Sequence, residues 1–77
     1  MMKQKSNIKF ALRLWYFRLQ SGLTQQELSE KTGISRDMIL KMENGSRAMT
    51  IENAVALARA MNVNLDTFLA EQITITI

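Results

Sequence analysis

The 77-residue sequence contains no cysteine, no histidine and no proline, and the first two absences narrow the chemistry open to it. Without cysteine the chain has no disulfide, no thiolate nucleophile and no thiolate metal ligand. Without histidine it also lacks the usual general base and the commonest transition-metal ligand. The seven acidic residues are scattered, with no paired or metal-binding spacing. We therefore expect neither an enzymatic activity nor a cofactor.

The sequence also lacks any run of uncharged apolar residues near the roughly 20 that cross a bilayer. Its N-terminus is basic and then apolar, as in a signal peptide, but Arg13 and Arg18 interrupt the apolar run and no small-residue cleavage site follows. An apolar fraction of 47% with 22% charged residues is typical of a small globular protein. Residues 1–77 are thus predicted to form a single cytoplasmic domain that does not span a membrane.

Positive charge is concentrated in the N-terminal half of the chain. The net charge is only +3, but five basic residues precede the first acidic residue, Glu27. These five are Lys3, Lys5, Lys9, Arg13 and Arg18. The asymmetry favours a polyanionic partner such as nucleic acid or an acidic membrane surface. Basic residues that only keep the protein soluble are an equal alternative.

Helix-capping residues and a 3.6-residue apolar period predict five short helices. Their predicted starts, in chain order, are Ser6 or Asn7, Thr24, Ser35, Thr50 and Asn64. The second helix opens with the capping box TQQE and ends at Gly33, which is predicted to be a left-handed cap. The buried face predicted for the fourth helix consists of Ile51, Ala54, Leu57, Ala58 and Met61.

Beyond Gln72 the apolar period changes from 3.6 to two. Ile73, Ile75 and Ile77 then fall on one face, which predicts a short strand over about residues 73–77. The predicted fold is therefore all-α, with five helices followed by a short C-terminal β-strand tail.

The second and third predicted helices are separated only by a tight turn at Gly33, which predicts a helix-turn-helix over about residues 24–43. The stretch GLTQQELSEKTGIS, followed by the pattern IxxxENG, resembles the phage lambda repressor and Cro-type (XRE) helix-turn-helix family. This resemblance implies a lambda-repressor-like DNA-binding domain and a structural ion pair between Arg18 and Glu43. Within the family, SRAMTIENAVALARAMNV is most similar to the small controller proteins of restriction–modification systems, while short phage repressors and antitoxins share the same helices.

The third helix supplies the predicted base contacts, because Ile39 and Met42 are expected to point inward. The outward positions are Arg36, Asp37, Leu40 and Lys41. Arg36 can donate two hydrogen bonds to guanine, and Leu40 can contact a thymine methyl group. In the alternative interpretation Arg36 is a solvated charge and Leu40 folds back onto the domain. Asp37 can accept from cytosine or pair with Lys41, which can itself reach a base or a phosphate.

Four further residues are predicted to contact the DNA backbone. The resemblance implies this role for Gln25, at the start of the second helix, and for Asn44, just beyond the third. A helix N-terminus favours an anion such as phosphate, which agrees with the position of Gln25. Ser46 and Arg47 follow on a loop that faces the same way, and Arg47 is predicted to contact a phosphate or enter the minor groove.

The first helix carries a second apolar stripe in addition to its core face. The members of this stripe are Ile8, Leu12, Trp15 and Leu19. A helix that is apolar nearly all round is normally buried on two sides, and a lone strand needs a pairing edge. We therefore expect the stripe and the tail to contact a second copy or another protein, with a frayed terminus as the alternative. The predicted contact residues are Trp15, Leu19, Ile73, Ile75 and Ile77.

Three functions from different classes follow from these observations. The leading one is a transcriptional regulator that binds double-stranded DNA as a homodimer on a palindromic operator; a controller protein would regulate its own operon and the restriction gene. The second is an antitoxin whose first helix and tail cover a toxin and which also binds DNA. A peptide of the membrane surface comes last, because Phe10, Leu14 and Phe17 of the basic helix are needed for the core.

Overall fold

The computed structural model describes the backbone of residues 5–70 and the side chains of residues 10–70, and this part of the chain is all-helical. Its helices are α1 (Lys5–Gln20), α2 (Gln25–Thr32), α3 (Arg36–Glu43), α4 (Ile51–Ala60) and α5 (Leu65–Leu69). The five predicted helices are confirmed. The first already includes Lys5, a good helix former, so the start predicted at Ser6 or Asn7 is slightly late. The strand predicted over residues 73–77 lies outside the described residues.

Four of the helices begin at a side chain that caps the backbone. Each cap has an extended backbone and accepts a hydrogen bond from an amide two or three residues further along; the caps are Thr24, Ser35, Thr50 and Asn64. The donor–acceptor distances lie between 2.8 and 3.1 Å. Such caps typically contribute about 1 kcal/mol each. Gly33 ends α2 with a left-handed φ of 77°, as predicted.

Thr24 and Glu27 form a reciprocal capping box at the start of α2. The hydroxyl of Thr24 accepts from the amide of Glu27 at 3.0 Å, and the carboxylate of Glu27 accepts from the amide of Thr24 at 2.9 Å. These hydrogen bonds lower the pKa of the Glu27 carboxyl below its ordinary value of 4.5, the bond from the Thr24 amide being the larger cause. The charge of Lys31 lowers this pKa further.

Acid is therefore expected to weaken α2 through Glu27. Because the folded-state pKa lies below the unfolded one, the stabilisation is complete above about pH 4.5 and is lost as the pH falls through the lower, folded-state pKa. A Glu27→Gln variant keeps a carbonyl oxygen for the Thr24 amide but does not titrate. Urea titrations at neutral pH and well below that pKa should show a smaller acid-induced loss of unfolding free energy in the variant. Equal losses in both proteins would contradict this role.

The core holds α3 between two other helices. α1 packs against α3 and α5, while α2 packs against α3 and α4. The buried core consists of Leu14, Leu28, Ile39, Met42, Ala54, Leu57, Ala58, Met61 and Phe68. Phe17 completes one edge, with its ring edge-on to Phe68 at a centroid distance of 5.9 Å. Because α3 is supported on two sides, only its remaining face is open to solvent. None of the five helices is long and apolar enough to cross a membrane.

The predicted buried face of α4 is correct for four of its five members and wrong for Ile51, which is 62% exposed. Ile51 is the first helical residue after the Thr50 cap. Its spacing to Ala54 places it on the same side of α4 as the core, but at the end of the helix, where the core no longer covers it. It borders an apolar depression of about 220 Å³. The other residues lining this depression are Phe10, Met49, Thr50, Ala54 and Leu69.

Candidate nucleic-acid interface

Two hydroxyl groups fix the corner between α2 and α3. Ser29 Oγ donates to the carbonyl of Ile34 at 2.6 Å. Thr32 Oγ1 accepts from the amide of Ile34 at 3.1 Å and donates to the carbonyl of Leu28 at 2.8 Å. Ser29 is also small enough for the two helices to approach each other. The sequence did contain a signal for these hydrogen bonds, which we call the hydroxyl lock. The signal is a pair of hydroxyl residues, Ser29 and Thr32, three positions apart and shortly before Gly33.

α3 has a buried side and an exposed side. Ile39 and Met42 are buried in the core at 0% and 1% exposure. The four residues predicted to contact bases, Arg36, Asp37, Leu40 and Lys41, are all exposed. Leu40 is 47% exposed, so about half of its surface is open to solvent. The exposed side of α3 therefore combines charged side chains with one large apolar side chain.

Two residues of this exposed side pair with each other. The Nζ of Lys41 lies 3.0 Å from Oδ2 of Asp37, one helical turn earlier. Because both side chains are largely exposed, the pair contributes only about 0.2–0.5 kcal/mol to stability. The pair also changes the charge of this face, because Lys41 offsets the negative charge of Asp37.

A buried ion pair joins α1 to α3. Arg18 donates from Nε and Nη2 to the two carboxylate oxygens of Glu43, and its Nη1 donates to the carbonyl of Leu23 at 3.0 Å. The side chains are only 12% and 6% exposed. Hydrogen bonding to Glu43 is the main cause that raises the pKa of Arg18. The pair thus ties α1, the loop before α2 and the end of α3 together.

Gln25 belongs to the same network, a link that the sequence did not indicate. Its Nε2 donates to Oε1 of Glu43 at 3.1 Å, which uses one of the two amide hydrogens and leaves the other at the start of α2. Asn44 is arranged in a similar way, because its Oδ1 accepts from the amide of Ser46 at 2.9 Å and its Nδ2 is left as a donor. Arg47, on the same loop, is exposed. The start of α2 and the end of α3 therefore bring several oriented donors close together.

Replacing Gln25 by alanine is expected to weaken binding to all DNA sequences alike, because phosphates carry no sequence information. Gln26→Ala is a matched control, since Gln26 is the exposed neighbour of Gln25 and reaches only Glu30. Titration of both variants against specific and unrelated DNA measures the effect. A changed base preference in Gln25→Ala would show that this residue reads bases instead.

Arg13 does not belong to an exposed basic surface, contrary to the indication from the charge of the N-terminal half, and Arg18 lies in the ion pair that the resemblance implied. Arg13 is 3% exposed, and its guanidinium carbon lies 5.4 Å from the centroid of the Phe10 ring. The exposed basic residues within residues 10–70 are Lys31, Arg36, Lys41, Arg47 and Arg59. Three of these five lie in α3 or in the loop that follows it. The described positive charge therefore gathers around α3.

Residues 16–68 match the profile of a protein family described as helix-turn-helix. This range starts within α1 and ends in α5, so that it includes the α2–α3 corner and the core that supports it. The chain belongs to this helix-turn-helix family. Helix-turn-helix regulators bind DNA through the second helix of the motif, which enters the major groove. In this chain α3 is the second helix of the motif.

Helix-turn-helix relatives of this chain include transcriptional regulators from archaea. An HTH-type transcriptional regulator from Archaeoglobus fulgidus is 33% identical over 54 residues, which are 70% of this chain and 77% of that protein. One from Methanocaldococcus jannaschii is also 33% identical over 54 residues, which are 70% of this chain and 82% of that protein. The predicted class of helix-turn-helix transcriptional regulator is thereby confirmed.

Solved structures of other helix-turn-helix proteins share the fold. The restriction–modification controller protein C.AhdI from Aeromonas hydrophila gives a TM-score of 0.81 at 27% identity, covering 86% of this chain and 100% of that one. Wild-type controller protein C.Esp1396I gives 0.80 at 26% identity, covering 86% and 87%. The clp gene regulator ClgR from Corynebacterium glutamicum, at 21% identity, shares the fold alone, with a TM-score of 0.82 over 91% of this chain and 74% of that one. The predicted fold and the resemblance to controller proteins are confirmed.

Proposed function

We propose that this chain is a single-domain, sequence-specific transcriptional regulator that binds a palindromic operator as a homodimer in the cytoplasm. The observation that carries this proposal is the exposed side of α3, where Arg36, Leu40 and Lys41 project from a helix whose other side is held in the core. Base edges in the major groove present hydrogen-bond acceptors and thymine methyl groups, and a helix face of this composition complements both.

Arg36 and Leu40 carry the sequence preference in this proposal. They lie four residues apart and therefore share one stripe of α3. Arg36, at the N-terminal end, donates to O6 and N7 of a guanine, while Leu40 contacts the methyl group of a nearby thymine. Lys41 reaches a base or a phosphate, and Asp37 accepts from a cytosine only when its ion pair with Lys41 opens.

Four other residues hold the DNA backbone in this proposal: Gln25, Asn44, Ser46 and Arg47. Because Gln25 contacts Glu43, the residue that precedes Asn44, donors from the start of α2 and the end of α3 can grip one stretch of backbone. The backbone amides at the start of α2 add a favourable environment for phosphate. Arg47 contacts a further phosphate or enters the minor groove. These contacts would fix the depth and orientation of α3 in the groove.

The homodimer is proposed because one α3 is short. With eight residues and a rise of about 1.5 Å per residue it can read only a few base pairs. Two recognition helices roughly 34 Å apart read two half-sites one DNA turn apart, and linking two weak contacts multiplies the affinity.

The likeness to C.AhdI and C.Esp1396I supports a more specific role as a restriction–modification controller that regulates its own operon and the restriction gene. A short phage-type repressor would use the same helices. The neighbouring genes distinguish the two roles, since a controller lies beside methyltransferase and endonuclease genes and a repressor beside phage genes.

Selection of bound DNA from a random pool tests the proposed function. We expect the pool to converge on an inverted repeat with half-sites about one DNA turn apart, each containing a guanine and a nearby thymine. Binding that persists at low salt without any convergence of sequence would contradict a sequence-specific regulator.

The outer side of α1 favours a second candidate function, that of an antitoxin. Leu12 and Leu19 are 42% and 48% exposed, and Trp15 between them is half-buried. Apolar residues spaced three and four apart on an exposed helix face are typical of a surface that docks on another protein. The side chain of Ile8 and the tail residues Ile73, Ile75 and Ile77 lie outside the described residues, so their share in such a contact stays a prediction.

Co-expression with the product of the adjacent gene tests this second function. An antitoxin should relieve the growth defect that a toxin causes and should co-purify with it. The double variant Leu12→Gln and Leu19→Gln should lose both effects, whereas Ile51→Gln, which removes an exposed apolar residue outside α1, should keep them. If the protein made by the adjacent gene is harmless and does not co-purify with this chain, the chain is not an antitoxin for that protein.

A further inference from the structure

We infer that Arg13 is a binding site for a carboxylate on the side of α1, and that Glu71, just beyond the described residues, supplies this carboxylate within the same chain. The inference does not depend on DNA binding, so it goes beyond the proposed function. It is carried by the burial of Arg13, by a guanidinium donor that has no acceptor in the described part of the chain, and by the short path from α5 to Glu71.

Arg13 is a charged residue in a buried place. It is 3% exposed, and within residues 10–70 it is the one charged residue that the fold buries this completely. Its guanidinium carries a permanent positive charge and five N–H donors. The Nη1 atom is buried and donates to no acceptor that the structure describes. Because buried charges in proteins are normally paired, the guanidinium requires an anion.

The contact with Phe10 meets this requirement only in part. The guanidinium carbon of Arg13 lies 5.4 Å from the centroid of the Phe10 ring, a distance at which the ring attracts a cation. The ring carries no net charge, so the charge of the guanidinium is not neutralised. A carboxylate can accept two parallel hydrogen bonds from a guanidinium and neutralise it as well. A carboxylate is therefore the fitting partner for Arg13.

The acidic residues of the described part are all engaged elsewhere or exposed, and none of them forms an ion pair with Arg13. Glu43 is bound by Arg18. The exposed ones are Glu27, Glu30, Asp37, Glu52 and Asp66. The sequence contains seven acidic residues, and the seventh is Glu71.

Glu71 lies close to Arg13 along the path of the chain. α1 packs against α5, and Phe10 lines the same depression as Leu69, the last residue of α5. Arg13 in turn contacts Phe10. Glu71 follows Leu69 by two residues, which span at most about 7 Å. Both Arg13 and Glu71 have long side chains, so the carboxylate is within reach of the guanidinium.

The chain's own segment fits this site better than a separate ligand does. With 3% exposure, Arg13 offers almost no opening through which a free anion or an acidic residue of another protein could enter. A carboxylate two residues beyond α5 is always nearby, since its tether to the domain gives it a high effective concentration.

Such a pair would fix the start of the C-terminal segment beside α1. The predicted contact residues Ile73, Ile75 and Ile77 follow Glu71 closely, so the pair would set where they can meet a partner. Consecutive residues of a helix are about 100° apart, which places Arg13 and Leu12 on different sides of α1. The segment would thus be anchored beside the exposed stripe of Leu12 and Leu19, and the stripe would stay open to another protein.

Urea denaturation of the full chain tests the pair through two single variants and their combination. Glu71→Gln should raise the equilibrium constant for unfolding by about 10-fold to 100-fold, because Arg13 loses its charged acceptor. Arg13→Met leaves no buried charge, so adding Glu71→Gln to it should change the constant by less than about 2-fold. Glu30→Gln removes the same charge from an exposed site and is the matched control, expected to match the wild type. An equal effect of Glu71→Gln in both backgrounds would overturn the inference, as would no effect in the wild type.

Nitrogen-15 NMR of the arginine side chains gives a second measurement that needs no change at Arg13. A guanidinium held by a carboxylate rotates slowly, so its Nη signals should be separate for Arg13, as for the paired Arg18, and averaged for the exposed Arg59. Glu71→Gln should average the Arg13 signals and leave those of Arg18 unchanged. Unchanged Arg13 signals in Glu71→Gln would overturn the inference. Signals that average when the wild type is diluted would show that the carboxylate comes from a second copy, which would overturn the pair within one chain.

Discussion

Replacement of Arg18 by alanine is expected to lower the free energy of unfolding by about 3–5 kcal/mol, because it leaves a buried charge without its partner. The Glu43 side chain is only 6% exposed and would lose both guanidinium donors, keeping the single hydrogen bond from Gln25. The Leu23 carbonyl would lose its donor as well. A domain of 77 residues typically has only about 4–12 kcal/mol of stability in total, so this loss would remove a large share of it. Urea denaturation followed by circular dichroism measures it.

Two further variants test whether the stability loss comes from breaking the ion pair and not simply from removing an arginine. Arg36→Ala removes an exposed arginine and should change the unfolding free energy by no more than about 0.5 kcal/mol. The double variant Arg18→Met and Glu43→Leu leaves no unpaired charge and should regain most of the lost stability. Equal urea midpoints for Arg18→Ala and Arg36→Ala would show that Arg18 is not a structural residue.

Replacement of Arg36 by alanine, which should hardly change stability, is expected to weaken DNA binding strongly. We expect affinity for each half-site of the selected operator to fall by about 1–3 kcal/mol, or roughly 5-fold to 150-fold, with loss of the guanine preference at one position. The physical reason is the loss of two hydrogen bonds to one guanine edge from a residue at the exposed N-terminal end of α3. A repeated selection with the variant measures the preference directly.

Lysine at the same position distinguishes base reading from charge. Arg36→Lys keeps the positive charge but not the planar pair of donors, so it should retain affinity for unrelated DNA and still lose the guanine preference. Arg59→Ala, which removes an exposed arginine at the end of α4, should leave the selected sequence unchanged. If Arg36→Ala returns the same sequence with the same information content, Arg36 does not read a base.

The helices were predictable because their start signals are local. Thr24, Ser35 and Thr50 act on amides three residues away, and Gly33 takes a backbone conformation that few other residues adopt. The exposed side of α3 was predictable for a similar reason. The helical period places Ile39 and Met42 in the core and therefore leaves Arg36, Asp37, Leu40 and Lys41 exposed. The ion pair of Arg18 joins residues that are 25 positions apart, so only the resemblance to a known family indicated it.

The features that escaped prediction depend on tertiary contacts. Ile51 has the right spacing for burial, but the core extends only as far as Ala54, at the end of the first turn of α4. Arg13 carries a charge that suggested an exposed surface, yet the packing around α1 covers it. The hydrogen bond from Gln25 to Glu43 spans 18 positions, and the hydroxyl of Ser29 finds its acceptor only after the chain has turned at the α2–α3 corner. Contacts of this kind cannot be predicted from a local sequence pattern.

The hydroxyl lock at that corner bears on the heat of DNA binding. Ser29 and Thr32 already satisfy the backbone groups of the turn in the free protein, so this segment has little left to fold when DNA arrives. Proteins that fold on binding bury additional surface of their own, which gives a large negative change in heat capacity and a high entropic cost. The α2–α3 corner should therefore contribute to the heat-capacity change only through the surface that it buries against DNA. A preformed corner adds no folding contribution to the temperature dependence of the binding enthalpy.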